Sequence, residues 1–98
     1  MNKISEYDER QLNLMLKSLI AFENKQIELN SLVGNLEFLL HAMEHVTDDW
    51  EERFMHEFVT LESINAEMPR MKKTEIEMLI KEATSNLKKL VEKELGSE

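Results

Sequence analysis

The feature that most constrains the fold is the spacing of apolar residues, which recur every three or four positions in four separate segments. This spacing places the apolar side chains on one face of an α-helix, whereas a strand needs apolar residues at every second position. One proline and two glycines among 98 residues leave few turn signals for a β-rich fold. The sequence therefore predicts an all-α protein in which each helix buries one face.

Four helices with short connections are predicted. The apolar positions that define them are, in chain order, Leu12, Met15, Leu16, Leu19 and Ile20; Leu29, Leu32, Leu36, Leu39 and Met43, with Val33 and Leu40; Trp50, Phe54, Phe58 and Leu61; and Ile76, Leu79, Ile80, Ala83, Leu87, Leu90 and Val91. Connections of a few residues favour antiparallel neighbours. We expect a small antiparallel bundle of about four helices, forming a single domain over residues 1–98.

Helix starts are marked by residues that cap the free backbone N–H groups. Ser5, with Asp8 three residues on, is expected to cap the first helix, and Thr47 the third. Thr74-Glu75-Ile76-Glu77 matches the T-x-x-E capping box and predicts the start of the fourth. Pro69 is expected to end the third helix, because proline cannot continue the hydrogen-bond ladder.

The second helix is predicted to run from about Leu29 to His45 with Gly34 inside it. A glycine in a helix interior costs about 1 kcal/mol relative to alanine. We interpret Gly34 as allowing close approach of a neighbouring helix rather than as a kink.

Composition excludes several classes of function. The absence of cysteine excludes a disulfide framework, thiolate chemistry and cysteine-ligated zinc. A net charge of -8 repels the phosphate backbone and an anionic bilayer, so we expect neither a nucleic-acid nor a membrane partner. No apolar run approaches the roughly 20 residues that span a bilayer, and no signal peptide is visible at the start of the chain. We expect a cytoplasmic protein.

One short motif suggests zinc chemistry. His41-Ala42-Met43-Glu44-His45 reads H-x-x-E-H, and on a continuous helix its two histidines would share a face that could bind Zn²⁺. Because it lies at a predicted helix end without an evident third ligand, we favour solvated histidines instead. A di-iron bundle needs Glu-x-x-His, whereas Glu37–His41 and Glu52–His56 are spaced by four. We expect no catalytic residue, metal or cofactor, and hence no enzyme.

Acidic residues are concentrated in the middle of the chain. From Glu37 to Glu67 there are nine acids and one base, a net of -8, whereas Arg70 to Lys93 has seven bases and four acids, a net of +3. Acids in the first turn of a helix also suit its positive end, which is the alternative explanation for part of this cluster. We favour a surface that binds a cationic protein. The predicted partner-binding residues are Glu37, Glu44, Asp48, Asp49, Trp50, Glu51, Glu52, Met55 and Glu62.

Aromatic and apolar residues within this region leave alternatives open. The spacing of Trp50 with Phe54 favours a core position, although an exposed edge would make it an interface anchor. Phe38, Met55 and Val59 lie off the main apolar faces. They are either secondary core contacts or apolar islands in the acidic surface.

The stretch IELNSLVGNLEFLLHAMEHVTDDWEERFMHEFVTLESINA, Ile27 to Ala66, resembles small helical bacterial proteins encoded beside polymorphic toxins. In particular, the chain resembles immunity proteins of contact-dependent growth inhibition systems whose toxin is a ribonuclease. The resemblance is carried by the leucine spacing, the TDDW helix start and the following L-E-x-I-N-A. It implies an inhibitor without catalytic residues that binds a basic toxin, a nuclease domain, and blocks its active site or substrate groove.

Other classes of function compete with this interpretation. The chain could be a self-associating helical adaptor or a regulatory protein without enzymatic activity, and a homo-oligomer is compatible with either role. A regulatory partner of a basic nucleic-acid-binding protein would carry the same acidic surface. The third class is the small zinc enzyme considered above.

Overall fold

The computed structural model describes residues 4–67 and 70–96, except for the side chain of Glu67. The chain forms four helices, namely α1 (Glu6–Glu23), α2 (Leu29–Ala42), α3 (Asp48–Glu67) and α4 (Lys73–Leu95). Over the described ranges there is no β-strand, which confirms the predicted all-α class. None of the helices, as far as they are described, is long and apolar enough to cross a lipid bilayer.

The four helices pack as a ring of antiparallel neighbours. Helix α1 lies beside α2 and α4, and α3 lies beside the same two helices, whereas the backbones of the diagonal pairs do not approach one another closely over the described residues. Side-chain hydrogen bonds connect neighbouring helices: Asn35 Nδ2 on α2 donates to Ser18 Oγ on α1 at 3.3 Å, and Asn65 Nδ2 on α3 donates to Asn30 Oδ1 on α2 at 3.3 Å. The predicted antiparallel bundle is confirmed.

Most of the predicted apolar positions form the core. Phe54 stacks between Trp50 and Phe58, with ring centroids 5.3 and 6.1 Å away. The fully buried apolar side chains are Leu12, Met15, Leu19, Leu32, Leu36, Phe54, Leu61, Leu87 and Val91. The predicted core positions that are only half-buried are Leu16, Leu29, Met43, Ile76, Leu79, Ile80 and Leu90. Ile20 is exposed, so its assignment to the core was wrong.

Two of the three predicted helix starts agree with the structure. Ser5 Oγ accepts the N–H of Asp8, and Thr47 Oγ1 accepts the N–H of Trp50, both at 3.1 Å. The capping box at Thr74 is wrong, because α4 begins at Lys73 and Thr74 already lies inside its first turn. The N-cap residue is Lys72, which makes no side-chain capping hydrogen bond. The predicted role of Pro69 lies outside the described residues, and α3 extends to Glu67.

Gly34 does not serve a close contact between helices of this chain. A Cβ atom added there would meet no atom within 4 Å, so the predicted close approach of a neighbouring helix is wrong. The residue lies on an exposed face of α2. No steric requirement within the described part of the chain therefore explains a glycine at this position.

Replacing Gly34 with alanine is expected to stabilise the isolated fold. The space around it is open, and alanine in a helix interior is favoured over glycine by about 1 kcal/mol. Urea unfolding at low protein concentration should show a higher midpoint with an unchanged slope. A lower midpoint would mean that the backbone at Gly34 needs a freedom that alanine lacks.

Candidate protein-binding surface

The start of α3 presents a dense group of carboxylates. Thr47 caps the helix, and Asp48, Asp49 and Glu51 occupy its first turn with exposed side chains. Carboxylates at this end interact favourably with the partial positive charge of the helix N-terminus. Their location is therefore partly explained by the stability of α3 itself.

Other exposed carboxylates lie outside the first turns of the helices. Glu52 and Glu62 follow the first turn of α3, Glu37 lies within α2, and Glu44 lies in the loop between these helices. All four side chains are exposed, and the macrodipole does not explain Glu37, Glu52 or Glu62, because its effect fades beyond the first turn. We define the acidic surface as these four residues together with Asp48, Asp49 and Glu51.

The antiparallel register brings acids of α2 and α3 together. Glu37 follows Asn30 by about two turns and lies on the same edge of α2, which faces α3, because Asn30 bonds Asn65. On α3, Glu62 lies one turn before Asn65 and therefore on the edge that faces α2. Met55, seven residues before Glu62, follows the same edge and is half-buried. The two helices thus present carboxylates around an apolar side chain.

Few of these carboxylates have a cationic neighbour. Arg53 Nε lies 2.9 Å from Asp49 Oδ2, but both side chains are exposed, at 68% and 76%, so the pair is weak. The other salt bridge found among the described residues joins Lys88 to Glu23 at 3.0 Å, between α4 and α1. Apart from Asp49, the acidic surface therefore has no ion pair within the part of the chain that the structure describes.

Trp50 belongs to the core, and its predicted role as an exposed interface anchor is wrong. Its side chain is 5% exposed, and its Nε1 donates a hydrogen bond to the backbone oxygen of Leu90 at 3.3 Å. The residue fixes the start of α3 against α4 instead of facing a partner. Of the two alternatives for the off-face residues, Met55 makes a secondary contact with the core, and Val59 is an apolar island beside Asp49 and Glu52, 46% exposed. Phe38 is 73% exposed but lies on the side of α2 next to α1, outside the acidic surface.

The H-x-x-E-H motif is not held on one helix. Helix α2 ends at Ala42 rather than at His45, and Met43 has an extended backbone with φ −66° and ψ 142°. His41 therefore lies on α2, whereas Glu44 and His45 lie in the loop. No three His, Asp or Glu side chains come together as a metal site within the described residues. The zinc-enzyme interpretation loses the shared helix face on which it depended.

Sequence reasoning missed the long-range contacts of Asp8. This carboxylate is 1% exposed, and it accepts the N–H of Glu44 at 2.9 Å through Oδ1 and the N–H of His45 at 2.8 Å through Oδ2. The start of α1 is thereby joined to the loop that carries Glu44 and leads into α3. Only the position of Asp8 in the first helical turn was visible in the sequence, and that signal is local.

The acidic surface is suited to binding rather than to enclosing a small substrate. The nearest depression has lining residues that all belong to α3, among them Asp49, Glu52, Met55 and Val59, so it is an open helix face. Exposed carboxylates beside half-buried apolar groups can bind lysine and arginine side chains of a protein. Comparisons with protein-family models, curated proteins and solved structures give no match to this chain.

Proposed function

We propose that this protein is an immunity protein that binds and neutralises a basic toxin, a nuclease domain, through its acidic surface. The observation that carries this proposal is the exposure of seven carboxylates on α2, α3 and their connecting loop, of which one has an ion-pair partner among the described residues. Such an arrangement leaves negative charge available to a cationic partner. The resemblance of Ile27 to Ala66 to immunity proteins supports the same function.

The mechanism of inhibition follows from competition for a basic groove. A nuclease binds the phosphates of its substrate with lysine and arginine side chains. The carboxylates of the acidic surface are able to bind the same side chains in place of the phosphates. Charge complementarity raises the association rate constant toward about 10⁸ M⁻¹s⁻¹ at low salt. Because six of the seven carboxylates lie on packed helices, little backbone conformational entropy is lost at these residues when the complex forms.

Half-buried Met55 adds an apolar contact to this electrostatic attraction. The residue lies between acids on the edge of α3 that faces α2. A partner that covers this edge removes apolar surface from water while its cations meet the surrounding carboxylates. The proposed interface therefore combines rapid association with a contact that slows dissociation.

Salt should weaken the binding by slowing association. The test partner is a basic toxin domain encoded beside this protein, if the neighbouring gene proves to encode one, purified separately. Between about 50 mM and about 500 mM salt we expect the association rate constant to fall roughly tenfold, because ions screen the attraction between the two surfaces. Surface plasmon resonance would measure the rate, and a nuclease assay should show inhibition at equimolar protein.

Two outcomes would contradict the proposal in different ways. Binding without any loss of nuclease activity would favour a regulatory partner over an immunity protein. An association rate that does not change with salt would mean that another face, and not the acidic surface, forms the interface.

A further inference from the structure

All three histidines of this chain lie in the segment that carries the acidic surface. They are His41, His45 and His56, and each of their side chains is exposed. Two of them belong to the H-x-x-E-H motif, but no three His, Asp or Glu side chains of the described residues form a metal site. Metal binding therefore does not explain why the histidines are gathered here.

Two of the histidines lie one helical turn after an acid of the acidic surface. His41 follows Glu37 on α2, and it lies about three turns after Asn30, on the edge that faces α3. His56 follows Glu52 on α3, and both line the same open face of that helix. A spacing of four residues places the two side chains of each pair beside one another. A proton on either imidazole therefore puts a positive charge next to a carboxylate of the acidic surface.

The third histidine lies in the loop between α2 and α3. His45 is adjacent to Glu44, and its backbone N–H donates to Asp8 Oδ2 at 2.8 Å, which fixes the backbone of the loop at this point. Its imidazole remains exposed. Asp48, the first residue of α3, follows three positions later. The imidazole of His45 is therefore held close to the helix start where the carboxylates are densest.

The charged groups around the histidines come from α3 and from the start of α1, which Asp8 joins to the loop. Helix α4 packs on another face of α3, where Trp50 donates to the backbone of Leu90, so its lysines lie outside the acidic surface. Neither salt bridge found among the described residues involves an imidazole. Besides Glu37, Glu44 and Glu52, the neighbouring titratable and charged groups are Glu6, Tyr7, Asp8, Glu9 and Arg10 of α1 and Asp48, Asp49, Glu51, Arg53 and Glu57 of α3.

We propose, on the basis of the function proposed above, that these three histidines make the binding of a cationic partner by the acidic surface dependent on pH. Imidazole gains a positive charge as the pH falls from about 8 to about 5, whereas lysines, and carboxylates over most of this range, keep theirs. Three protons added to a net charge of -8 leave -5, and the whole change falls within the acidic region. The acidic surface therefore attracts cations more strongly in neutral than in mildly acidic solution.

A lysine oligomer of about 20 residues is the probe, because it contains no histidine and its side chains stay charged between about pH 5.5 and about pH 8. Calorimetric titration of the full chain at low salt measures its dissociation constant at both pH values. We expect the constant to rise about tenfold at the lower pH, since each of three exposed positive charges weakens the attraction modestly. No binding of the lysine oligomer at about pH 8 would overturn the proposal.

Two triple variants assign the pH effect to the histidines. His41→Gln, His45→Gln and His56→Gln together should keep the affinity at about pH 8 and lose most of the change at about pH 5.5, with an unchanged far-UV helical signal. Lysine at the same three positions should bind weakly at both pH values. The proposal is wrong if the glutamine variant responds to pH as the wild-type chain does, because carboxylates would then be titrating. A toxin domain that fails to bind at any pH would instead refute the proposed function, and the result with the lysine oligomer would not change.

Discussion

Reversing Glu37, Glu52 and Glu62 to lysine is expected to abolish protection against the toxin and to slow association about 100-fold, within the range by which electrostatic steering changes rates. The triple variant changes the net charge by six units within the acidic surface and turns attraction into repulsion. All three side chains are exposed and lie beyond the first turn of their helices. Their replacement should change the free energy of unfolding by less than about 1 kcal/mol in total. Protection of cells that produce the toxin, together with association kinetics, measures the effect.

The choice of these residues avoids a confounding effect. Asp48, Asp49 and Glu51 also interact with the positive end of α3, and each interaction is worth about 0.3–1 kcal/mol. Lysines there would weaken the helix start as well as the interface, so lost protection would have two explanations. Glu37, Glu52 and Glu62 lie beyond the first turn of their helices, so lost protection in the triple variant reports on the interface alone.

The matched control makes the same change of charge on α4, outside the acidic surface. Glu77, Glu82 and Glu92 are exposed acids of α4, the basic helix, and their reversal to lysine also changes the net charge by six units. If attraction is local to the acidic surface, this control should keep protection and lose only a few-fold in association rate. Equal loss in both variants would show that net charge acts without a defined surface.

The sequence predicted the helices well because their signals are local and repeated. Leucine and aromatic residues at spacings of three and four define a face without reference to the rest of the chain, and Phe54 and Leu61 are buried as expected. The hydroxyls of Ser5 and Thr47 act on N–H groups three residues away, so they too could be read locally. Local periodicity cannot show how far a face is covered, and Ile20 is exposed for this reason.

The errors concern features that depend on distant parts of the chain or on the absence of a neighbour. The periodic apolar pattern continues to Met43, but α2 ends at Ala42. The N–H groups of Glu44 and His45 donate instead to Asp8, which is distant in the sequence. We expected a neighbouring helix to approach Gly34 closely, but no helix of this chain does so within the described residues. No pattern of spacing reports such contacts.

The sequence predicted the acids of the acidic surface, but it did not show which of the residues between them are exposed. Carboxylates are rarely buried, so exposure of Glu37 and Glu62 followed from residue type alone. Trp50 stands among acids in the sequence, yet its neighbours in space are Phe54 and the backbone of Leu90. Adjacent residues of a helix point in different directions, and sequence proximity to Asp49 and Glu51 was therefore misleading.

Asp8→Ala is expected to reduce the free energy of unfolding by about 3 kcal/mol, because two hydrogen bonds from backbone N–H groups to a charged acceptor are lost together. This is a large part of the roughly 5–15 kcal/mol that stabilises a domain. Asp8→Asn should have a smaller effect, since its amide oxygen can still accept from one of the two N–H groups while its NH₂ group faces the other. Urea unfolding measures both differences.

Comparison with Glu9→Ala distinguishes the effect of the hydrogen bonds of Asp8 from the effect of its negative charge at the start of α1. Glu9 is an exposed acid in the same first turn of α1, so its replacement removes an equal charge and should alter the free energy of unfolding by less than about 1 kcal/mol. Amide hydrogen exchange adds a local test, because the N–H groups of Glu44 and His45 should lose protection in Asp8→Ala but keep it in Glu9→Ala. Equal destabilisation by Asp8→Ala and Glu9→Ala would assign the effect to the helix dipole. A selective loss of amide protection at Glu44 and His45 would instead mean that Asp8, at the start of α1, holds the loop between α2 and α3. The acidic surface includes Glu44 of this loop.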